Sequence, residues 1–183
     1  MGFPDPSSIY IPPPLGVIEL NLGDQWRALW VDSDTLPAGI PVDYAYALVC
    51  MGDNGYLTRE AGSELWGTVE GRPGPGEKPL ACVKRAAREQ TGAVAAAVEL
   101  IGYLECRATS HNPEHEAGTT RLRAFYLFVA KQVKDLGRDA AYERRRLPLN
   151  QQMVAIRKRY PEFEDHFSKA ASAYALRQAR SGP

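Results

Sequence analysis

Apolar residues are grouped in short segments along this chain, and most segments have the length and spacing of β-strands. A mainly apolar run at 42–51 is followed by residues 52–55, whose Gly, Asp and Asn side chains suit a tight turn, and then by a second run at 56–59. These two runs predict a β-hairpin. Further strands are expected at 65–69, 98–107, 122–133 and 142–147.

Helical spacing predicts three further elements. Residues 80–91 are rich in helix formers, follow Pro79 and stop at Gly92, a residue that suits the position just past a helix end. Apolar residues also recur every three or four positions in 149–156 and again in 163–174, which predicts two amphipathic helices. Strands interrupted by one central helix and closed by two more predict an α/β domain.

The N-terminal region differs in composition from the rest of the chain. Residues 1–15 contain five prolines, a composition that favours extended polyproline II structure. Two short apolar runs follow at 17–22 and 26–31, and they could pair as a hairpin. We therefore divide the chain into a proline-rich N-terminal arm at 1–40, which has room for this hairpin, and a folded domain at 41–183.

Charge and composition exclude several classes of function. The chain has 22 basic and 22 acidic residues and no net charge, so its overall field attracts neither nucleic acid nor an acidic membrane, and we expect neither as the main partner. Its apolar runs fall far short of the ~20 residues that span a bilayer. The N-terminus lacks the pattern of an export signal. The three cysteines are an odd number among apolar neighbours, which predicts reduced thiols and a cytoplasmic protein.

One set of residues keeps a spacing that carries chemical information. Gly71 is followed by Glu77, Arg85, Glu89 and Gly92, with 5, 7, 3 and 2 residues between successive members. These residues resemble the Nudix box, in which a glycine loop leads into a helix that carries an arginine and three glutamates. The resemblance implies a Nudix-type α/β/α sandwich with a mixed β-sheet and C-terminal helices. It also implies a hydrolase that acts, with Mg²⁺ or Mn²⁺, on a nucleoside diphosphate linked to another moiety.

The chain departs from the box on the helix face that would hold the metal. Positions 86, 89 and 90 share one stripe of a helix, because successive residues turn by ~100°. Three carboxylates on this stripe would suit Mg²⁺ or Mn²⁺, which prefer oxygen ligands. Here Ala86 and Gln90 replace two of the three acids. The resemblance therefore implies a thinned metal site, with weak or absent binding left open, formed by Glu89, Gln90, Gly71 and Glu70.

The residues that shape the loop and helix are kept. We expect Glu77 and Arg85 to join the loop to the helix by an ion pair, and Gly92 to end the helix. The scaffold of the box is therefore complete although its metal site is not.

Two functions are open at this point. In the first, hydrolysis persists through Glu89 with a second carboxylate, for which the catalytic candidates are Glu114 and Glu116, beside Glu70. In the second, the domain is a non-catalytic Nudix-fold protein that binds a nucleotide-like ligand, RNA or a protein. We expect a nucleotide-like small molecule as the partner and leave a homodimer open. Further candidates for phosphate contacts are the basic clusters at 144–146 and 157–159, which also suit solvated faces.

Overall fold

The computed structural model of the protein describes residues 17–21, 26–110, 115–161 and 164–180. The predicted polyproline segment at 1–15 lies outside these residues and stays a prediction. The described elements, in chain order, are strands β1 (Val17–Asn21), β2 (Trp26–Val31), β3 (Val42–Met51), β4 (Asn54–Glu60) and β5 (Val69–Gly71), helix α1 (Pro79–Thr91), strands β6 (Ala93–Ala108), β7 (Thr120–Val133) and β8 (Tyr142–Pro148), and helices α2 (Leu149–Arg159) and α3 (Glu164–Arg180).

The strands form one mixed sheet. Their order is β1-β2-β6-β7-β3-β4-β8, and β5 pairs with β3 beside this path. β3 and β7 run parallel, whereas the other paired strands run antiparallel. The apolar pattern predicts most of these elements to within a few residues. The main difference is β6, which begins at 93 instead of 98.

Helices cover both faces of the sheet. On one face, α1 packs the buried side chains of Cys82, Val83 and Ala87 against strand residues that include Val49 and Phe128. On the other face, α2 and α3 form the second half of the core with Ile156, Phe167 and Tyr174. Burial of apolar surface on both faces is the main stabilising contribution, at roughly 25 cal/mol per Å². The layers confirm the α/β/α sandwich with C-terminal helices.

The predicted N-terminal hairpin is part of the sheet. β1 pairs with β2, and β2 pairs with β6 so that Trp30 lies opposite Leu104. Trp30 is buried, and a Cβ atom at Gly102 would lie 2.3 Å from its ring. β1 and β2 therefore belong to the same sheet as the strands of the folded domain, and the boundary at residue 40 stays a prediction. Residues 22–25 lie outside the described residues.

One edge of β3 is divided between two partners. Residues 49–51 pair with β4, whereas residues 45–47 pair with β5. A gap between β4 and β5 follows from this division.

The segment between β4 and β5 crosses this gap. Gly67 exchanges two backbone hydrogen bonds of 2.9 Å with Thr58 on β4, and the next residue, Thr68, donates its hydroxyl to the Ala47 carbonyl on β3. The chain thus changes partner at Thr68. For this reason the predicted strand at 65–69 is wrong in position, and the strand is found at Val69–Gly71.

Helix α1 ends where the sequence predicts. Gly92 adopts a left-handed conformation with φ of 74°, and its N–H donates to the Arg88 carbonyl at 2.9 Å. The Gly92 carbonyl accepts a 2.9 Å hydrogen bond from the N–H of Lys134. Arg144 donates from Nη1 to the Thr91 carbonyl at 2.7 Å, which places a cation at the negative end of the helix dipole.

No helix in the described parts of the chain combines the length and the apolar character that crossing a membrane requires.

The end of α1 yields a stability prediction. A Cβ atom at Gly92 would lie 2.0 Å from the Lys134 carbonyl oxygen, a backbone atom that cannot move aside without breaking the pairing nearby. We expect Gly92→Ala to lower the free energy of unfolding by about 2–4 kcal/mol in chemical denaturation. Gly76→Ala is the matched control, because Gly76 has a similar φ of 71° and nothing within 4 Å of its Cβ position. The control should lose about 1–2 kcal/mol, and equal losses in both variants would contradict the steric argument.

Candidate functional site

A bidentate ion pair joins the glycine loop to α1. Arg85 donates from Nε to Glu77 Oε1 and from Nη2 to Glu77 Oε2, both at 2.9 Å. The Gly74 N–H donates to the same Oε2 at 2.9 Å, and Arg85 Nη2 also reaches the Arg72 carbonyl at 3.2 Å. These donors lower the pKa of Glu77 to about 2, with the Arg85 hydrogen bonds as the largest cause and the Gly74 N–H as the second. The ion pair therefore fixes the path of the loop against the helix.

Close packing leaves no room for a ligand at position 86, where the Nudix box has a glutamate. Ala86 is buried on the face of α1 that contacts β5. A Cβ atom at Gly71 would lie 3.1 Å from Ala86 Cβ and 2.9 Å from Cys82 Sγ. Strand and helix approach this closely because position 71 has no side chain and position 86 has a single methyl group.

Hydrogen bonds within the protein occupy the side chain at position 90, the other position where the Nudix box has a glutamate. Gln90 is 6% exposed. Its Oε1 accepts from the Glu70 N–H at 3.3 Å, and its Nε2 donates to the Glu70 carbonyl at 2.5 Å. Its own backbone carbonyl accepts from the Thr58 hydroxyl at 3.1 Å. The Gln90 amide is thus engaged with backbone groups at both its oxygen and its nitrogen.

Glu89 is the one residue of the stripe that keeps a carboxylate. Its side chain is 52% exposed and lies 3.3 Å from Arg85 Nη1 in an i,i+4 ion pair. The guanidinium that holds Glu77 therefore also contacts Glu89.

A cleft of about 510 Å³ opens at the gap between β4 and β5. Helix α1 forms one wall, and the end of α2 contributes Arg159 and Tyr160. The charged side chains that line the cleft are Arg59, Arg72, Arg85 and Arg159 together with Glu60, Glu70 and Glu89, and its aromatic lining consists of Tyr44, Tyr142 and Tyr160.

The cleft changes the acidity of the Glu70 carboxyl group. Its side chain keeps contact with solvent, but the surrounding protein atoms desolvate the carboxyl group and raise its pKa. Arg159, Arg123 and Arg72 oppose this shift, and the negative charge of Glu60 reinforces it. A proton on Glu70 is therefore easier to keep than on an ordinary surface glutamate.

Arginine side chains stack on aromatic rings at two places beside the cleft. The guanidinium carbons of Arg72 and Arg123 lie 4.7 and 5.3 Å from the centre of the Tyr44 ring. Those of Arg59 and Arg145 lie 4.5 and 4.4 Å from the centre of the Trp66 ring. Stacking restricts these long side chains. Arg59 is held further by Glu143, whose Oε2 accepts from Arg59 Nε at 3.0 Å and from Arg59 Nη2 at 2.6 Å.

The donor set does not fit the divalent-metal site that the resemblance implies. In the described residues, no three side chains of His, Cys, Asp or Glu converge to form a group that could hold a metal ion. Ala86 has no donor atom, and Gln90 is engaged with Glu70. Binding of Mg²⁺ or Mn²⁺ by Glu89, Gln90, Gly71 and Glu70 accordingly stays a prediction.

The remaining predicted residues lie in different places. Glu114 lies outside the described residues. Glu116 is exposed in the loop before β7 and does not line the cleft, and its backbone carbonyl accepts from the Thr119 N–H at 3.1 Å. Glu70, Gly71, Glu89 and Gln90 all line the cleft, and Gly92 ends the helix behind it.

Sequence reasoning missed Glu60, Arg59 and Arg72 as residues of the cleft. Arg72 follows Gly71 directly, and its basic side chain in the loop is a signal that could have found it. Glu60 and Arg59 reach the cleft through the division of the β3 edge, for which the sequence has no local signal.

Comparisons with known proteins point to one family. A family model described as a NUDIX domain matches residues 42–165. Among solved structures, the chain is similar to a point mutant of the Bacillus subtilis pyrophosphohydrolase BsRppH, with a TM-score of 0.56 and 14% identity over 71% of this chain and 77% of that one. It is also similar to a MutT NUDIX hydrolase from Burkholderia pseudomallei, with a TM-score of 0.43 and 15% identity over 63% of this chain and 95% of that one. No curated protein matches it. At these identities the likeness to BsRppH supports the fold alone.

The ion pair of the loop yields a prediction on pH dependence. Because the pKa of Glu77 falls from 4.5 to about 2 on folding, its pairing stabilises the protein above pH 4.5 and is lost as the pH falls towards 2. We expect Arg85→Ala to lower the denaturant midpoint at neutral pH, and the difference from wild type to shrink between about pH 5 and about pH 2. Arg88→Ala, an exposed arginine on the same helix, is the control and should show a small difference without this trend. A midpoint difference for Arg85→Ala that stays constant with pH would remove the role of Glu77.

Proposed function

The chain belongs to the Nudix family, and on this premise we propose that its cleft binds a nucleoside diphosphate linked to another moiety through arginine side chains, without a metal site on α1. One observation carries the proposal. Four arginines line the cleft, while the two other positions of the α1 stripe are closed by the packing of Ala86 and the hydrogen bonds of Gln90.

Closure of the α1 stripe favours binding over metal-dependent chemistry. A divalent ion that sheds part of its water shell depends on negative ligands for affinity. Glu89 supplies one such charge, and Arg85 at 3.3 Å competes with a metal for it. A diphosphate next to this helix face therefore gains more from the arginines than from a metal that one paired carboxylate would hold.

Arginines suit the phosphate groups of this ligand class. A guanidinium offers a planar fork of N–H donors that matches two phosphate oxygens. In the described residues, no carboxylate lies within ion-pair distance of Arg159, so its charge is available to an anion. Arg72 is already oriented by its contact with the Tyr44 ring.

The size and lining of the cleft suit the rest of such a ligand. A volume of about 510 Å³ lies within the usual range for sites that hold a nucleotide-sized molecule. Tyr44, Tyr142 and Tyr160 offer aromatic surface for a base or a second ring.

A binding measurement tests the proposal. We expect ADP-ribose, used as the probe, to bind wild-type protein in calorimetry in the presence of EDTA, with an affinity that falls as salt rises. Arg159→Gln should weaken binding about tenfold or more, since one charge-assisted hydrogen bond contributes roughly 1.5–3 kcal/mol. Arg138→Gln, an exposed arginine that does not line the cleft, is the matched control and should bind as wild type does. Absence of binding at about 1 mM ADP-ribose would contradict the proposal.

Hydrolysis is the second candidate function, and a specific observation favours it. Glu60, Glu70 and Glu89 line the same cleft, so carboxylates outside the α1 stripe stand beside the position proposed for the diphosphate. Desolvation raises the pKa of Glu70, which favours a role for its carboxyl group in proton transfer. This is the activity that the resemblance implies, with Mg²⁺ or Mn²⁺ as the cofactor.

Product analysis separates the two candidates. Under the binding proposal, ADP-ribose incubated with the protein and Mg²⁺ or Mn²⁺ stays intact when it is analysed by chromatography. If AMP and ribose phosphate form, Glu89→Gln should abolish their formation, and Asp139→Asn, a charge-matched change in an exposed loop, should not. That pattern would establish the hydrolase and overturn purely non-catalytic binding.

A further inference from the structure

We propose that Gln90 is a positioning residue whose side-chain amide acts as the missing neighbour strand of β5 and thereby holds Glu70 and Gly71 at the cleft. The importance of these two residues for a ligand rests on the proposed function. The structural part of the proposal rests on hydrogen-bond geometry alone.

The two hydrogen bonds of the Gln90 amide have the pattern of strand pairing. One residue, Glu70, has both its N–H and its carbonyl bound by a single partner, at 3.3 and 2.5 Å. A neighbouring strand binds a residue of an antiparallel pair in the same way. The side-chain amide presents a carbonyl oxygen and an N–H of its NH2 group side by side, so it offers Glu70 the same acceptor and donor as the backbone of an adjacent strand would.

The edge of strand β5 that faces away from β3 needs a hydrogen-bond partner. It is three residues long and pairs with β3 through the registers Ala45 to Gly71, Tyr46 to Glu70 and Ala47 to Val69. Buried backbone N–H and carbonyl groups require partners, and an unpaired edge beside α1 would leave those of Glu70 without one. Gln90 is 6% exposed, so its hydrogen bonds are shielded from competition by water.

Gln90 is also fixed from the other side of the gap. The Thr58 hydroxyl on β4 lies 3.1 Å from the Gln90 carbonyl and 3.3 Å from the carbonyl of Glu143 on β8. The backbone of Gln90 is therefore tied to β4 and its side chain to β5. This single residue spans the gap that the division of the β3 edge creates.

A glutamate at this position, as the Nudix box has, would not reproduce the arrangement. An ionised carboxylate can accept from the Glu70 N–H, but it has no proton to donate and would direct a charged oxygen at the Glu70 carbonyl. A protonated carboxyl group regains the donor. The amide at position 90 therefore fits the role of a backbone partner better than the role of a metal ligand.

Two variants test the proposal. Gln90→Met keeps the length of the side chain and removes both hydrogen bonds, and Gln90→Glu keeps the shape and removes the donor at neutral pH. At neutral pH we expect exchange of the Glu70 backbone amide hydrogen, followed by NMR, to accelerate about tenfold or more in Gln90→Met relative to wild type. We expect Gln90→Glu to have a lower denaturant midpoint than wild type at neutral pH.

The pH dependence of the Gln90→Glu variant distinguishes a hydrogen-bond partner from general packing. The carboxyl group introduced at position 90 donates to the Glu70 carbonyl only when it is protonated, so folding raises its pKa. The variant should therefore be as stable as wild type near pH 4 and become less stable than wild type as the pH rises. The charged groups that line the cleft with position 90 are Glu60, Glu70, Glu89, Arg59, Arg72, Arg85 and Arg159. The Gln90→Met variant has the same charged groups, so their titration cancels when the two variants are compared. The loss of stability in Gln90→Met should persist at about pH 4.

A ligand measurement tests the positioning role. Inorganic pyrophosphate is the probe, and both variants should bind it about threefold or more weakly than wild type at neutral pH. If wild type does not bind pyrophosphate, the proposed function loses support, while the exchange and stability measurements still decide the role of Gln90. Unchanged Glu70 amide exchange in Gln90→Met, or a Gln90→Glu variant that is as stable as wild type at neutral pH and binds Mn²⁺ more tightly, would overturn the proposal in favour of a metal-ligand position.

Discussion

The close approach of strand β5 to helix α1 is the constraint on which the rest of the site depends. Gly71 lacks a side chain and Ala86 has one methyl group, so the two backbones meet at a distance that a Cβ atom on position 71 would prevent. This contact brings the Glu70 backbone within reach of the Gln90 amide and places the loop where Arg85 can hold Glu77. A bulkier residue at position 71 or 86 would separate the strand from the helix and weaken both the Gln90–Glu70 hydrogen bonds and the Arg85–Glu77 ion pair.

The arrangement of charged side chains distinguishes this cleft from the metal site that the Nudix box implies. The box pattern has three carboxylates on one helix stripe, whereas this chain keeps one, and Arg85 neutralises part of its charge. The remaining acids of the cleft, Glu60 and Glu70, lie on strands, and four arginines face them. Like charges on one stripe repel each other and need a cation, but mixed charges around a cleft stabilise each other without one. The fold has therefore been kept while the electrostatic demand for a metal on the helix has decreased.

The sequence predicts those parts of the structure that local signals determine. Pro79 and Gly92 define α1 to the residue, because a helix start and a left-handed end are properties of single positions. Alternating and continuous apolar runs locate the strands for the same reason. The division of the β3 edge and the reach of Gln90 to Glu70 depend on pairing between distant segments, which no local pattern encodes. For this reason Gln90 reads as a weakened ligand in the sequence and as a backbone partner in the structure.

Trp66 gives the protein a built-in optical reporter of its cleft. The guanidinium carbons of Arg59 and Arg145 lie 4.5 and 4.4 Å from the centre of its indole ring, and Arg59 lines the cleft. The emission energy of an indole follows the electric field across the ring, so an anion that draws Arg59 away shifts the fluorescence of this residue. Trp30, by contrast, is buried in the core, does not line the cleft and stacks on the His166 ring with 3.7 Å between the ring centres. Trp66 thus reports on the cleft without any added label, beside the two other tryptophans of the chain, Trp26 and Trp30.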